Sequence, residues 1–320
     1  MSTQVALGID VGGTKIAVGE LSAGGEHREL AVIPTVQRDG HANLLAVTDA
    51  IARFAGPGAR IGISLATTMD ADGRVRDPRG WFGWTGVDLA HALDVPNAVE
   101  IMPDAACGAV AEARWGAGEG ARRVLYVTLG TGIAHCVVTD GVPDTGSYGA
   151  GILSGSTPPF RSGWRTRPSW RSVEDIASGP GLAAAFAGSV AAADAHALAD
   201  RFRGGEWWAR RVVEHASWQV GSLIAGLATS TDPDVIVLGG GLAAGFSEYV
   251  DLIDGVLEVL LHDWHTSLVP AVPARFGAES CWIGAAGLAA ADAPATLIPT
   301  KTREDTPAGA SLARKEHVDV

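Results

Sequence analysis

The sequence predicts an α/β protein of two similar domains with a cleft between them, and two observations support this fold class. The chain has 320 residues, which is long for one domain and sufficient for two. A strand–glycine turn–strand pattern near the N-terminus returns about one domain length later, which indicates an internal duplication. We predict one domain over residues 1–117, a second over 118–290, and a polar, disordered tail over 291–320.

The elements of the first domain follow from runs of apolar residues and from helical spacing. For example, Leu44, Val47 and Ile51 fall on one side of a helix. Gly116–Gly120 is interpreted as a hinge after this domain. The predicted strands are Val5–Ile9, Lys15–Leu21, Ala31–Val36, Arg60–Leu65 and Ala98–Met102, and the predicted helices are His41–Phe54, Asp88–Leu93 and Asp104–Trp115.

The second domain is predicted by the same signals. A helix over Ser172–Ser178 is closed by Gly179–Gly181, and further helices follow to about Thr229. The predicted strands are Val124–Leu129, Ile133–Thr139 and Asp234–Leu238, and the last predicted helix is Ser247–Leu261.

The composition excludes several classes of protein. The formal net charge of −12 repels phosphate backbones and anionic lipids, so we expect neither a nucleic acid nor a membrane as partner. No apolar run approaches the roughly 20 residues of a membrane span. Residues 1–4 lack the basic and apolar segments of a signal peptide, and we expect a cytoplasmic location. Cys107, Cys136 and Cys281 form no close pair, so we predict neither a disulfide framework nor a structural zinc site.

The first glycine turn has the residues of a phosphate-binding device. Glycines allow backbone N–H groups to approach phosphate oxygens, and a threonine hydroxyl and a lysine ammonium add donors. Asp10 at the strand end is a candidate to orient Mg²⁺ through its waters. It is not a Walker A loop, because the Lys–Thr order is reversed and a strand follows. An ordinary hairpin turn is the alternative for this motif taken alone. The candidate residues are Asp10, Gly12, Gly13, Thr14 and Lys15.

Two further glycine motifs lie in the second domain. The turn at Thr128, Gly130, Thr131 and Gly132 repeats the first device, and two such turns facing one cleft are suited to hold a polyphosphate. The third motif, Gly239-Gly240-Gly241, ends a strand.

The third motif also fits the dinucleotide pattern G-x-G-x-x-A, which is the argument for an oxidoreductase. That pattern usually opens its domain and needs an acidic residue at the end of the next strand. A long helix follows here, so a glycine platform under an adenine fits better.

The three glycine motifs, in this order over residues 5–290, resemble the ROK family of bacterial glucokinase-like sugar kinases and related repressors. This resemblance implies two actin-like (ribonuclease H-like) domains that close on ATP and a sugar, with Mg²⁺ as the metal and a homodimer as the assembly. It implies that Asp10–Lys15 and Thr128–Gly132 hold phosphates and that Gly239–Gly241 lie near the nucleoside.

The resemblance also locates a general base. Family members have Asn-Asp-Ala-Asn at a helix start, where this chain has Pro103-Asp104-Ala105-Ala106. Asp104 therefore stands at the catalytic position, and a carboxylate is the expected acceptor of a hydroxyl proton in phosphoryl transfer. A helix cap is the alternative for an aspartate before a helix.

The chain departs from the family at the sugar site. Gly-Glu-x-Gly-His is replaced by Gly151-Ile152-Leu153-Ser154-Gly155, which keeps the substrate-site Gly151 and loses the Glu and the His. The family's cysteine-rich zinc motif is replaced by the Arg- and Trp-rich segment 161–171. The family Asn before Pro-Gly-Trp is lost around Gly80–Trp84. Glu174 matches a sugar-binding Glu of the family.

We therefore predict an ATP-dependent phosphotransferase acting on a hydroxyl, of the primary 6-OH type, of a hexose or modified sugar. Because the residues that read sugar hydroxyls have changed, we expect an amino sugar, a deoxy sugar or a C7-cyclitol. The alternatives are a non-catalytic sugar- or nucleotide-binding relative and a nucleotide-dependent oxidoreductase. Four tryptophans are candidates for an apolar wall against the substrate ring, with loop packing as the alternative: Trp81, Trp84, Trp164 and Trp170.

Overall fold

The computed structural model describes most of the chain between residues 5 and 290. The predicted tail over 291–320, and Trp164 with the rest of 163–168, lie outside the described residues. The described ranges are 5–70, 72–77, 80–146, 149–156, 161–162, 169–187, 195–262 and 269–290.

The first half of the chain contains seven strands and three helices within these ranges. The third strand begins earlier than predicted because it pairs with the second from His27 onward, with polar residues on an exposed edge. The elements are β1 (Val5–Val11), β2 (Lys15–Ser22), β3 (His27–Pro34), α1 (Gly40–Phe54), β4 (Ile61–Leu65), β5 (Thr68–Met69), β6 (Val75–Arg76), α2 (Leu89–Leu93), β7 (Val99–Pro103) and α3 (Asp104–Trp115).

The second half is richer in helix. Gly179 begins a new helix directly after Ser178, with Pro180 in its first turn, where a missing N–H costs nothing. The elements are β8 (Arg123–Leu129), β9 (Ile133–Thr139), β10 (Val142–Asp144), β11 (Arg161–Ser162), β12 (Ser169–Trp170), α4 (Val173–Ala177), α5 (Gly179–Ala187), α6 (Ala195–Arg203), α7 (Trp207–Thr231), β13 (Val235–Gly239), α8 (Gly241–Gly245), α9 (Ser247–Leu261), β14 (Ala271–Pro273) and α10 (Ser280–Ala290).

The two halves form sheets of identical topology. The first sheet has the order β3-β2-β1-β4-β7 and the second has the order β10-β9-β8-β13-β14. In each sheet the three strands of the leading meander are antiparallel, and the last two strands lie parallel to the first strand of that meander. The internal duplication that the repeated glycine turns indicate is therefore confirmed.

Helices α3 and α10 pack against each other between the two sheets. They are the equivalent helices of the duplication, because each follows the last strand of its sheet. A β-carbon on Gly62 of β4 would lie 1.9 Å from the carbonyl oxygen of Ala285, and one on Gly284 would lie 1.7 Å from that of Cys107. Glycine is required at both positions because backbone lies where a side chain would begin. This packing joins the two lobes.

Helix α10 was not predicted, and it belongs with the first lobe in space. It is buried on nearly all sides, so its sequence lacks the apolar–polar period that identifies a surface helix. It packs on β1 and β4 of the first sheet. The sequence assignment of residues 118–290 to one continuous domain therefore does not describe the packing of this helix. The short strands β10 and β14 were also missed.

The segment interpreted as a hinge is held by a buried carboxylate. Glu112 of α3 is fully buried, and its carboxylate accepts hydrogen bonds from the backbone N–H groups of Ala117, Arg275 and Phe276 and from the Ser280 hydroxyl. It thereby links the end of α3 to the start of α10. Among the described residues, no helix is both long and apolar enough to cross a bilayer.

We predict that Gly62→Ala destabilises the protein by about 1–3 kcal/mol, because the new methyl group forces β4 and α10 apart. Chemical denaturation monitored by circular dichroism measures this change in the free energy of unfolding. The matched control is Gly226→Ala in α7, where a methyl group meets no atom within 4 Å and should stabilise the helix by about 0.5–1 kcal/mol. Wild-type stability of Gly62→Ala would contradict the close packing.

Candidate active site

A cleft of about 660 Å³ lies between the lobes, and both glycine turns line it. The carboxylate of Asp104 faces the same space. The predicted site residues that line the cleft are Asp10, Gly12, Gly13, Thr14, Lys15, Asp104, Thr128, Gly130, Thr131, Gly132, Glu174, Gly240 and Gly241.

The first turn joins β1 to β2 and is fixed by the neighbouring strand. The Gly12 N–H donates to the Lys15 carbonyl at 2.9 Å, which closes the turn. The Thr35 hydroxyl, just beyond β3, donates to the Gly12 carbonyl at 2.7 Å. This leaves the glycine backbone facing the cleft with its geometry set in advance.

Asp10 is the next-to-last residue of β1, the strand directly before this turn. Its Oδ1 accepts a hydrogen bond of 2.7 Å from the hydroxyl of Ser64, the residue paired with it on β4. Burial raises the pKa of Asp10 to about 6, against the lowering effects of the Ser64 hydrogen bond and the Lys15 charge. The site therefore holds a poorly solvated carboxylate, which a cation would stabilise.

The second turn joins β8 to β9 and touches elements on both of its sides. The Gly179 N–H, at the start of α5, donates to the Gly130 carbonyl at 2.8 Å. Gly240 has a φ of 88°, and a β-carbon there would lie 2.4 Å from the Leu129 carbonyl oxygen. A larger residue would therefore separate the third glycine motif from the second turn.

Asp104 is the first residue of α3 and is half-buried at the cleft surface. Its Oδ1 accepts a hydrogen bond of 2.7 Å from the Ala105 N–H. Burial raises the pKa of Asp104 to about 7, and the negative charges of Asp10 and Glu174 add to this shift. A carboxylate with a pKa near neutral pH is suited to accept a proton from a substrate.

Glu174 lies beside the second turn and hydrogen-bonds the residue that follows it. It lies in α4, whose start is fixed by reciprocal hydrogen bonds between Ser172 and Asp175. The buried Glu174 Oε2 accepts from the Ile133 N–H at 2.9 Å and from the Ser156 hydroxyl at 3.1 Å. The second turn therefore has Glu174 on one side and Gly241 on the other.

The side of the cleft beyond Gly241 forms a largely apolar slot that the sequence analysis missed. His196 of α6 is the exposed polar side chain at its edge. An imidazole carbon of His196 comes within 3.3 Å of the β-position of Gly245. Loop and helix-end residues of this kind carry no periodic signal, so only their spatial grouping identifies them. The apolar residues of the slot are Pro180, Ala195, Ala199, Leu242 and Phe246.

Two predicted site residues do not line the cleft. Gly239 lies behind it, where a β-carbon would meet the ring of Tyr126 at 2.6 Å, so tight packing explains this glycine. The Gly151 N–H donates to the Thr145 carbonyl at 3.0 Å, which places Gly151 in a loop that packs on itself. The following residues Ile152 and Leu153 line the cleft instead.

The predicted tryptophan wall is only partly formed. Trp81 lines the cleft, whereas Trp84 is 2% exposed and its indole N–H donates to the Gly40 carbonyl at 2.8 Å. For Trp84 the alternative of loop packing holds, because this residue anchors its loop to α1. Trp164 and the side chain of Trp170 lie outside the described residues.

The described residues that line the cleft carry an excess of acidic groups. Four carboxylates line it, from Asp10, Asp77, Asp104 and Glu174, and Lys15 is the single Lys or Arg among the described lining residues. Among the described residues, no group of three His, Cys, Asp or Glu side chains has an arrangement that would hold a metal ion by itself.

The third glycine motif lacks the context of a dinucleotide-binding fingerprint. Its strand, β13, lies inside the second sheet rather than opening a domain. The next strand, β14, ends at Pro273 and is followed by Ala274 and Arg275, so it carries no acid to bind a ribose. This arrangement does not support the oxidoreductase alternative.

Two lobes of identical actin-like topology, with a glycine turn from each facing one cleft, define the fold class of actin-like sugar kinases. Comparison with known proteins places the chain within this class. The sequence profile of the ROK family matches residues 6–292, and the chain belongs to the ROK family. The predicted family and fold are confirmed.

Individual relatives match over most of their length. A kanosamine kinase of Amycolatopsis mediterranei is 33% identical, over 90% of this chain and 97% of that protein. The structure of a ROK hexokinase from Thermus thermophilus is 30% identical with a TM-score of 0.75, over 88% of this chain and 96% of that one. A ROK glucokinase from Streptomyces griseus, in complex with glucose and AMPPNP, has 24% identity and a TM-score of 0.74, over 89% and 98% of the two chains.

We predict that His196→Ala weakens binding of a non-hydrolysable ATP analogue by about tenfold, because a base in the apolar slot would lose its stacking partner. Isothermal titration calorimetry measures the dissociation constant. The control is His215→Ala, an exposed histidine of α7 that does not line the cleft. Equal affinities of wild type and His196→Ala would show that the base binds elsewhere.

Proposed function

We propose that this protein transfers the γ-phosphoryl group of ATP to a primary hydroxyl of an amino sugar. The single observation that carries this proposal is the composition of the cleft: two phosphate-type turns, Asp104 and an excess of carboxylates line one space. The class of enzyme, an ATP-dependent sugar kinase, is confirmed by its kinase relatives. The acceptor and the roles of single residues are our proposals.

Phosphoryl transfer needs positioning and charge stabilisation more than covalent chemistry from the protein. The backbone N–H groups of Gly13 and Thr14 in the first turn, and of Thr131 and Gly132 in the second, bind phosphate oxygens of ATP from the two lobes. Thr14, Thr128 and Thr131 add hydroxyl donors, and the Lys15 ammonium stabilises the negative charge. Gly240 and Gly241 lie between the second turn and the apolar slot, so they support the nucleoside.

Asp104 acts as the general base. Its carboxylate accepts the proton of the attacking hydroxyl while the hydroxyl oxygen forms a bond to the γ-phosphorus, and ADP leaves with the electron pair of the broken P–O bond. Its place at the N-terminus of α3 fixes the carboxylate, because the helix dipole favours negative charge there. Glu174, on the opposite side of the second turn from the nucleoside, binds the acceptor.

The residues at the first turn fit Mg²⁺. Asp10 is a poorly solvated carboxylate at the phosphate turn, and Mg²⁺ prefers carboxylate and water oxygens. Asp10 would hold the ion through its waters. Bound with ATP, Mg²⁺ would neutralise phosphate charge in a cleft that is otherwise acidic.

The acidic cleft supports an amino sugar as acceptor. A protonated amino group would be attracted by the surrounding carboxylates, whereas a neutral hexose lacks this charge–charge attraction. One relative is a kanosamine kinase, whose substrate is an amino sugar. Ile152 and Leu153 stand where the family places its hydroxyl-reading Glu motif, which further disfavours glucose. A homodimer and a cytoplasmic location stay predictions.

An ADP-release screen across amino sugars, hexoses and cyclitols tests the acceptor. We expect kcat/KM for the preferred amino sugar, with kanosamine as the first compound, to exceed that for glucose at least tenfold. Raising the salt concentration should reduce this preference, because the attraction by the cleft is partly screened. Equal efficiency on glucose would refute the proposed acceptor while leaving the class of enzyme intact.

We predict that Asp104→Asn lowers kcat by about 10²–10⁴, because the amide does not accept the hydroxyl proton. The measurement is steady-state ADP release on the preferred acceptor. The thermal shift produced by ATP and Mg²⁺ should persist, since the substitution leaves both glycine turns in place. Unchanged turnover would remove Asp104 from the mechanism.

We predict that kcat/KM for the acceptor falls as the pH decreases through about 7. The pKa of Asp104 is raised from 3.8 to about 7, so acidification protonates the base and removes the active form. Well below that value, kcat/KM should fall about tenfold per pH unit. The apparent pKa belongs to the Asp10–Asp104 pair, since their charges interact. The residual activity of Asp104→Asn should lack this dependence, and a wild-type profile flat from pH 5.5 to 8 would contradict the assignment.

A further inference from the structure

Trp81 faces the cleft from the first lobe and packs over the first glycine turn. Its indole is half-buried and lines the cleft. The β-position of Gly13 lies 3.4 Å from Cε3 of this ring, in van der Waals contact. The indole therefore borders the place where a phosphate held by Gly13 would meet the acceptor. A shift of the indole would change the space open to the acceptor.

The loop that carries Trp81 is fixed by a buried aspartate. Asp77 is 4% exposed, and its Oδ1 accepts the Trp81 N–H at 2.9 Å. Its Oδ2 accepts the N–H groups of Phe82 at 2.9 Å and Gly83 at 3.1 Å. The Trp81 carbonyl accepts from the Arg38 N–H at 2.9 Å, which holds the loop from the other side. A carboxylate that accepts three backbone N–H groups holds the loop in one conformation.

The second lobe also contributes apolar residues to the cleft. Ile133, Ile152 and Leu153 of the second lobe line it. A sugar ring has polar edges and faces made of C–H groups, and such a face packs well on an aromatic ring. The carboxylates of Asp104 and Glu174 border the same space, where they meet the polar edge of a ring. Apolar walls and acidic edges together match the shape and polarity of a pyranose.

We propose that Trp81 is the surface on which the acceptor ring lies, and that Asp77 is a positioning residue that acts through Trp81. This inference rests on the proposed function, because it takes a pyranose-like acceptor as given. It deepens that function by assigning the recognition of the ring to a tryptophan. Selectivity among ring substituents is then left to the carboxylates.

The first experiment compares Trp81→Ala, Trp81→Phe and Trp84→Phe on whichever acceptor the wild type phosphorylates best. We expect Trp81→Ala to raise KM for the acceptor at least about tenfold, while KM for ATP changes less than about twofold. Trp81→Phe keeps an aromatic face and should recover most of the loss. Trp84→Phe is the control for loop packing: this side chain is buried and stacks on Phe82, so the loss of its hydrogen bond to Gly40 should lower Tm and raise KM for the acceptor less than Trp81→Ala does.

The second experiment is a double-mutant cycle between Asp77→Asn and Trp81→Ala. In Asp77→Asn, an NH₂ donor replaces the oxygen that accepts from the N–H groups of Phe82 and Gly83, so the loop should shift. With Trp81 present, KM for the acceptor should therefore rise. If Asp77 acts through Trp81, the same substitution in the Trp81→Ala background should change KM for the acceptor less than about twofold. A merely structural role would lower Tm in both backgrounds and give additive effects on KM.

The outcomes separate this inference from the proposed function. An unchanged acceptor KM in Trp81→Ala, or equal increases in KM for acceptor and ATP, would overturn the role of Trp81. Additive effects in the cycle would overturn the role of Asp77. A wild type that prefers glucose would refute the amino-sugar proposal alone, because the variants are then compared on glucose with the same expectations.

Discussion

The close contact of α3 and α10 between the two sheets is the constraint on which the cleft depends. Gly62 lets the backbone of α10 touch β4, and Gly284 lets it touch α3, so each sheet is joined to the other through two stacked helices. Since α3 begins at Asp104, the same contact that joins the lobes brings this carboxylate to the space between the two glycine turns. Helix α3 therefore both joins the lobes and carries the proposed base.

Glu112 stabilises this joint with polar rather than apolar contacts. It is a fully buried carboxylate, and four hydrogen bonds compensate for the loss of its hydration. These bonds connect the end of α3 with residues 275–280, which direct the chain from the second sheet back to the first. A glutamate that sequence reasoning would place on a helix surface thus determines where the last helix lies.

Elements whose structure depends on neighbouring residues could be predicted from the sequence. Elements whose position depends on packing between distant parts of the chain could not. The glycine turns and the helix start at Asp104 were predictable, because turns and helix starts depend on a few consecutive residues. Helix α10 was not, because burial on all sides removes its amphipathic period. Trp81 and Trp84 have the same local signal, and only packing separates the one that lines the cleft from the one that is buried. His196 could not be predicted as a cleft residue for the same reason, because only tertiary packing brings it there.

The duplicated frame carries different chemistry in its two copies. Asp10 of β1 corresponds to Thr128 of β8, and Ser64, which bonds Asp10, corresponds to Gly239 beside Thr128. The first lobe thus has a charged pair of Asp10 and Lys15 at its turn, whereas the second has neutral donors. Asp104 at the start of α3 likewise has no carboxylate counterpart at the start of α10, where Ser280 and Cys281 stand. Identical lobes would present two equivalent sites. In the proposed function, this asymmetry orients one nucleotide, with the transferred phosphoryl group toward the first lobe's carboxylates and the nucleoside toward the glycines and the apolar slot of the second lobe.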